Sequence, residues 1–329
     1  SSKGEQRVSS RTPHTPPRLD PAKFRDPRLT AKGELRAVVA LGGLRTLWFN
    51  TGTLCNITCR SCYIESSPTN DALAYLTAAE VAGYLDEAEA SGLPLEEIGF
   101  TGGEPFMNRD LAAMLTDVLA RSARYRAIVL TNAMAPLRQK ARALLALRDR
   151  FGTDRLALRV SLDHYEAAHH DVERGEGTFA KALEGLVWLA REGFTVHVAG
   201  RAAFGGEDES TLRAGFATLF ARHAIPIDPA DPVALMLFPE MDEGVDVPEI
   251  TESCWGILGK RPDSVMCASS RMVVKRKGAP APSVVACTLL PYDTQFELGA
   301  TLAEASRPVA LNHPHCARFC VLGGAACSR

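Results

Sequence analysis

The sequence predicts an α/β fold, a parallel sheet of six βα units followed by a small cysteine-rich α+β module. Three observations predict it. From Leu44 onward, short apolar runs alternate with longer stretches of helical period, the pattern of repeated strand and helix units. Polar residues of chemical interest follow those runs directly, where a parallel barrel places its reactive face. After about residue 246 the chain breaks into short, Pro- and Gly-punctuated pieces that carry six of the nine cysteines.

In chain order, residues 1–36 come first. They hold five prolines and nine Lys/Arg against four Asp/Glu, a net +5 in a chain whose total is -2. With almost no apolar periodicity they are expected to form an extended arm. The body, 37–245, is expected to place strands at 45–50, 96–101, 125–131, 156–161, 194–200 and 233–238, each rich in β-branched or bulky apolar residues. Helices are expected near 77–91, 109–121, 136–148, 177–192 and 208–223. Residues 246–329 form the third unit, with too little apolar surface for a large core of their own.

The totals exclude several classes. A chain of 329 residues with 46% hydrophobic content can bury a full core, which rules out a disordered or fibrous protein. No apolar run approaches the ~20 residues that span a bilayer, and no basic stretch leads into an apolar one at the start. A cytoplasmic location, with no membrane or nucleic-acid partner, is therefore expected. Nine cysteines, an odd count in a reducing compartment, point to metal or redox chemistry rather than disulfides.

The loop after the first strand reads Cys55-Asn-Ile-Thr-Cys59-Arg-Ser-Cys62-Tyr63. Its spacing lets three sulfurs converge on one cluster face. A zinc site prefers paired C-x2-C elements, and a plant-type ferredoxin loop needs a C-x4-C spacing that is absent here. Three cysteines leave one iron of a cubane open to a small molecule, and an open iron implies a catalytic site.

From about Leu44 to the C-terminus the chain resembles the radical S-adenosylmethionine (SAM) superfamily. The resemblance implies a partial (β/α)6 TIM-like barrel in which Cys55, Cys59 and Cys62 hold a 4Fe-4S cluster, and the amino and carboxylate groups of SAM bind the open iron. Gly102-Gly103-Glu104-Pro105 looks like the family's second motif, with the glycines letting backbone approach the methionyl end and Glu104 meeting its ammonium group. Ser161 and Asp163, in a stretch that continues through His170-Asp171 and Arg174-Gly175, are similar to the region that contacts the ribose. Asn132 and Arg201 are further candidates for SAM contacts. Many family members carry an aromatic residue just before the third cysteine; this chain has Ser61. Tyr63, Leu235 or Met236 is expected to cover the adenine instead.

The C-terminal segment resembles a Twitch or SPASM extension and implies one auxiliary 4Fe-4S cluster. Its expected ligands are Cys267, Cys287, Cys316 and Cys320, with Cys327 able to replace one of them; Cys254, His313 and His315 stand outside the set. Structural zinc is the competing reading of this module. By resemblance, an external one-electron reductant such as flavodoxin or ferredoxin feeds the first cluster. SAM is then cleaved to a 5'-deoxyadenosyl radical that abstracts a hydrogen atom, for oxidation or rearrangement of a small metabolite. Modification of a ribosomally made peptide or protein is the alternative, and a non-catalytic iron-sulfur or zinc protein the remote one. Glu65, His164, Tyr165 and Glu240 are candidate substrate contacts.

Overall fold

The computed structural model describes residues 15–202 and 206–324. After β1 (Val38–Val39), six strands follow with helices between them: β2 (Thr46–Asn50), β3 (Glu97–Thr101), β4 (Arg126–Thr131), β5 (Leu156–Ser161), β6 (Thr195–Arg201) and β7 (Leu235–Phe238). Neighbours from β2 to β7 pair in order and all in parallel, the α/β arrangement expected for a partial six-unit barrel. Every residue of β2 is buried, as is most of β3 to β5. Covered on both faces, such strands read as apolar runs rather than as alternation, which is why their bounds were legible to within two residues.

The helices are α1 (Ala78–Ala90), α2 (Leu111–Arg121), α3 (Ala135–Gln139), α4 (Ala141–Phe151), α5 (Ala167–Arg174), α6 (Thr178–Arg191), α7 (Glu209–Arg222) and α8 (Cys254–Leu258). The first of these starts on a capping box. Thr77 Oγ1 accepts from the Glu80 N–H at 3.1 Å, and Glu80 Oε2 accepts from the Thr77 N–H at 2.9 Å. The helix expected at 136–148 divides at Lys140, whose φ of -99° and ψ of 10° are not helical. The fifth helix was not expected, because His170 is its sole buried residue and it has no apolar stripe to read.

Two glycines set the packing around the barrel. A Cβ on Gly99 would lie 2.2 Å from the Trp48 ring, and one on Gly185 would lie 1.8 Å from the Ala133 carbonyl oxygen. The first lets Trp48 lie across β3; the second brings α6 hard against the loop that follows β4.

The C-terminal segment continues the same sheet. β8 (Ser270–Val274) runs parallel beside β2, β9 (Ser283–Val285) pairs antiparallel with β8, and β10 (Glu297–Gly299) with β9. The sheet thus has nine strands among the described residues, and a two-stranded ribbon joins β1 to β11 (Val309–Ala310). One hydrophobic core runs from Ala37 to Val321. Residues 15–36 lie along 244–252: the Leu19 N–H donates to the Gly244 carbonyl at 2.8 Å, and the buried Arg36 pairs with Glu249 at 2.6 Å. No helix among the described residues is long and apolar enough to cross a membrane.

Candidate cofactor site

The carboxyl ends of the parallel strands enclose a cavity of about 180 Å³. Its wall is built first from the loop after β2, which is tied down along its length. The Thr51 N–H and Oγ1 both donate to the Thr101 carbonyl, at 2.8 and 2.9 Å, and the Cys55 N–H donates to Ser67 at 3.0 Å. Asn108 Nδ2, which sequence reasoning passed over, bonds the Thr51 and Leu76 carbonyls at 3.0 and 2.8 Å. Cys55, Cys59 and Cys62 all line the cavity and none is in a disulfide. The Ser66 N–H approaches Cys62 Sγ at 3.4 Å.

Burial pushes the Cys55 thiol up to about 12. Burial also raises Cys59, against the opposing charge of Arg174. Burial thus favours the neutral thiol at both positions, and a bound cation would favour the thiolate.

Gly102 and Gly103 line the cavity, and the structure gives them close backbone neighbours. A Cβ on Gly102 would lie 2.5 Å from the Gly52 carbonyl oxygen, and one on Gly103 2.3 Å from that of Leu54. The Gly103 N–H donates to Gly52 at 2.8 Å and the Glu104 N–H to Leu54 at 3.1 Å. These glycines dock one loop directly on the cysteine loop.

Glu104 and Pro105 are buried behind the wall and are not among the residues lining the cavity. The Glu104 carboxylate accepts from the Phe106 N–H at 3.1 Å, Thr131 Oγ1 at 2.8 Å and the Asn132 N–H at 2.8 Å. Burial lifts its carboxyl to about 7 although all three donors favour the carboxylate.

Ser161, Asp163, Asn132, Arg201 and Tyr63 also line the cavity. Asp163 is held bidentately by Arg174, Nε to Oδ2 at 2.8 Å and Nη2 to Oδ1 at 3.0 Å. Burial would raise the Asp163 carboxyl, but the Arg174 guanidinium outweighs it and the group is held low. Arg201 Nη1 meets Ser61 Oγ at 2.5 Å, and Ser61 in turn donates to Glu173 Oε2 at 2.5 Å. The position that lacks the expected aromatic therefore carries a hydroxyl tied to charged neighbours. Glu173 was missed in the sequence, and Arg174 was noted without a role; both come from α5, the helix with no legible stripe.

Leu235 is fully buried, and neither it nor Met236 lines the cavity. The four candidate substrate contacts lie outside the wall as well. His164 Nε2 and the Tyr165 hydroxyl converge on Glu207 at 2.6 and 2.5 Å, while Glu240 reaches Arg201 at 3.3 Å.

A second, apolar cavity is lined by Cys267, Cys287, Cys316 and Cys320, the four expected auxiliary ligands. The last two share one π-helical turn, Cys316–Leu322, a form often found at functional sites. Burial pushes Cys316 far up, and the other three thiols add to the effect. Buried Arg271, on β8, bonds the Cys267 carbonyl at 2.6 Å in the turn just before that strand. Cys254 stands apart, its Sγ accepting from the Thr251 N–H at 3.3 Å. Cys327 lies outside the described residues.

Both cysteine sets suit a polynuclear cluster. Among the described residues, the groups of three or more ligand atoms that lie within 4.8 Å of one another contain no cysteine. In neither set, then, do three sulfurs lie within 4.8 Å of one another. Three thiols on one cavity of mixed polar and apolar lining, and four on an apolar one, match in number the sulfur donor sets of iron-sulfur clusters.

Fold and site define a parallel α/β barrel protein with a cysteine-lined cavity at the carboxyl ends of the strands. A family model described as the Radical SAM superfamily matches residues 49–215, just over half of the chain, and the chain belongs to that superfamily. Enzymes of this family use a 4Fe-4S cluster and SAM. Among solved structures, Streptococcus suis SuiB bound to S-adenosylmethionine is similar with a TM-score of 0.54 at 12% identity, over 78% of this chain and 63% of that one. Native anSMEcpe with bound AdoMet is similar with a TM-score of 0.52 at 14% identity, over 79% of each chain. At these identities the likeness concerns the fold. The chain spans less than two thirds of the length of SuiB. A search of curated proteins finds no match.

Proposed function

We propose that Cys55, Cys59 and Cys62 hold the cluster that reductively cleaves SAM, and that the enzyme abstracts a hydrogen atom from a small-molecule substrate. The observation that carries this reading is the convergence of the three thiols with Ser161, Arg174 and the Gly102-Gly103 backbone on one cavity. When bound, cluster and SAM supply the one-electron chemistry. The protein's own part is placement. The three thiols would release their protons to solvent as iron bound, Glu104 locks the loops after β3 and β4 together, and Arg174 brings a fixed positive charge to the wall.

Asp163 is spent on Arg174, so Ser161 keeps the freer hydroxyl for the nucleoside. Arg201, tied to Ser61 and Glu173, lines the same cavity, whose volume of about 180 Å³ supports a small substrate over a long peptide. We further propose that Cys267, Cys287, Cys316 and Cys320 hold one auxiliary cluster, and that an external one-electron carrier such as flavodoxin or ferredoxin supplies reducing equivalents.

The test is anaerobic reconstitution with iron and sulfide counting and a dithionite assay for 5'-deoxyadenosine. About eight irons per chain are expected, with about four left in Cys55/Cys59/Cys62→Ala or in Cys320→Ser, and no loss in Cys254→Ser. Only the triad variant should abolish 5'-deoxyadenosine formation. Wild-type protein that loads iron yet never forms 5'-deoxyadenosine would sink the catalytic reading. Loss of iron in Cys254→Ser would overturn the auxiliary ligand set.

A further inference from the structure

Asn132 sits on the loop after β4 and is 6% exposed, with a partner for its backbone N–H and for both polar atoms of its side chain. Its N–H donates to Glu104 Oε2 at 2.8 Å, and its Oδ1 accepts from the Met134 N–H at 3.1 Å. Its Nδ2 donates to Asn56 Oδ1 at 2.8 Å and lies 3.9 Å from Cys55 Sγ. The orientation of the side chain is fixed by chemistry. A backbone N–H must meet the oxygen, so the NH2 group faces Asn56 and Cys55, with one hydrogen for each.

The loop has little room to yield. Ala133 adopts a φ of 57°, and α6 presses on its carbonyl where Gly185 lacks a side chain. Glu104 holds the other side through Thr131 and Asn132.

We propose that Asn132 is a positioning residue for the cluster ligated by Cys55: it holds Asn56 in the cysteine loop and donates an N–H to the Cys55 sulfur. This rests on the function proposed above. A thiolate attracts that N–H more strongly than a thiol does, so the 3.9 Å approach tightens when metal binds. A donor on a cluster sulfur stabilises the reduced, more negative state and raises the reduction potential. Glu104 acts through Asn132 by fixing its backbone.

Asn132→Asp isolates the effect, because it keeps the oxygen that caps Met134 and removes both N–H donors. The reconstituted full chain is titrated by EPR, and the signal that changes on adding SAM identifies the cluster at the triad. The expected result is wild-type iron content with a more negative midpoint. At a fixed poise the reduced-to-oxidised ratio should fall roughly tenfold, equal to about 59 mV for one electron. Asn132→Ala, which adds no charge, should shift the midpoint in the same direction. If both variants keep the wild-type midpoint, Asn132 acts only on the fold and the inference is overturned. Wild-type protein without any SAM-sensitive cluster would instead count against the proposed function, and against this inference with it.

Discussion

Replacing Gly103 by alanine is expected to loosen the cysteine loop before any cofactor binds. The added Cβ would sit 2.3 Å from the Leu54 carbonyl oxygen and 2.6 Å from both Leu54 C and Thr53 O, all backbone atoms that cannot rotate away. Overpacking of this kind costs about 1–3 kcal/mol. The two hydrogen bonds that join the loops, Gly103 N–H to Gly52 and Glu104 N–H to Leu54, contribute about 1 kcal/mol each and would stretch together. A loss of about 2–5 kcal/mol follows, a large part of a stability of about 5–15 kcal/mol. Urea unfolding of cofactor-free protein should show a lower midpoint with an unchanged slope. Alkylation mapped by mass spectrometry should find Cys55, 5% exposed, reacting faster. Gly256→Ala is the control: nothing lies within 4 Å of its Cβ, and the change should be neutral or stabilising by less than about 1 kcal/mol. If Gly103→Ala keeps both the midpoint and the Cys55 protection and loses only SAM affinity, the glycine serves the cofactor, and loop docking is the wrong account.

Two further outcomes concern charge. Burial, with Arg174 nearby, depresses His170 to about 4, so the unfolded chain takes up that proton first. Its contribution is complete above the free-histidine range and is lost as pH falls from about 6.5 toward 4, by about 3 kcal/mol. The urea midpoint of cofactor-free protein should fall over that window, and His170→Asn should make the slope shallower; an identical slope would refute the assignment. Glu249 accepts from the Phe24 and Ala31 N–H groups at 2.7 Å each and pairs with buried Arg36. Glu249→Gln should cost about 3–5 kcal/mol and speed tryptic cleavage at Arg25, Arg28 or Lys32, whereas unchanged digestion would show that the pair does not hold this segment.

What the sequence revealed, and what it hid, divides by range. Strands β2 to β5 were legible because burial on both faces writes itself into consecutive residues; the triad was legible from its spacing, and Gly102-Gly103, Asn132, Ser161 and Asp163 because they end those strands or directly follow them. The strand Ser270–Val274 is just as apolar, yet its place beside β2 depends on a pairing across more than 200 residues that no local period encodes. The same limit explains Glu104. Its motif marked a carboxylate near the cofactor, but Thr131 and Asn132, which occupy it, come from the next strand. Ser61 shows the limit most sharply. The missing aromatic was visible in the chain itself, while the replacement, a hydroxyl bound to Arg201 and Glu173, was assembled by β6 and by a helix with no readable stripe. The residues that line the cavity were thus readable from their own neighbourhoods. Those that hold them in place were not, since their roles lie in contacts between strand-end loops, and it is there that the Gly103 and Asn132 variants apply their strain.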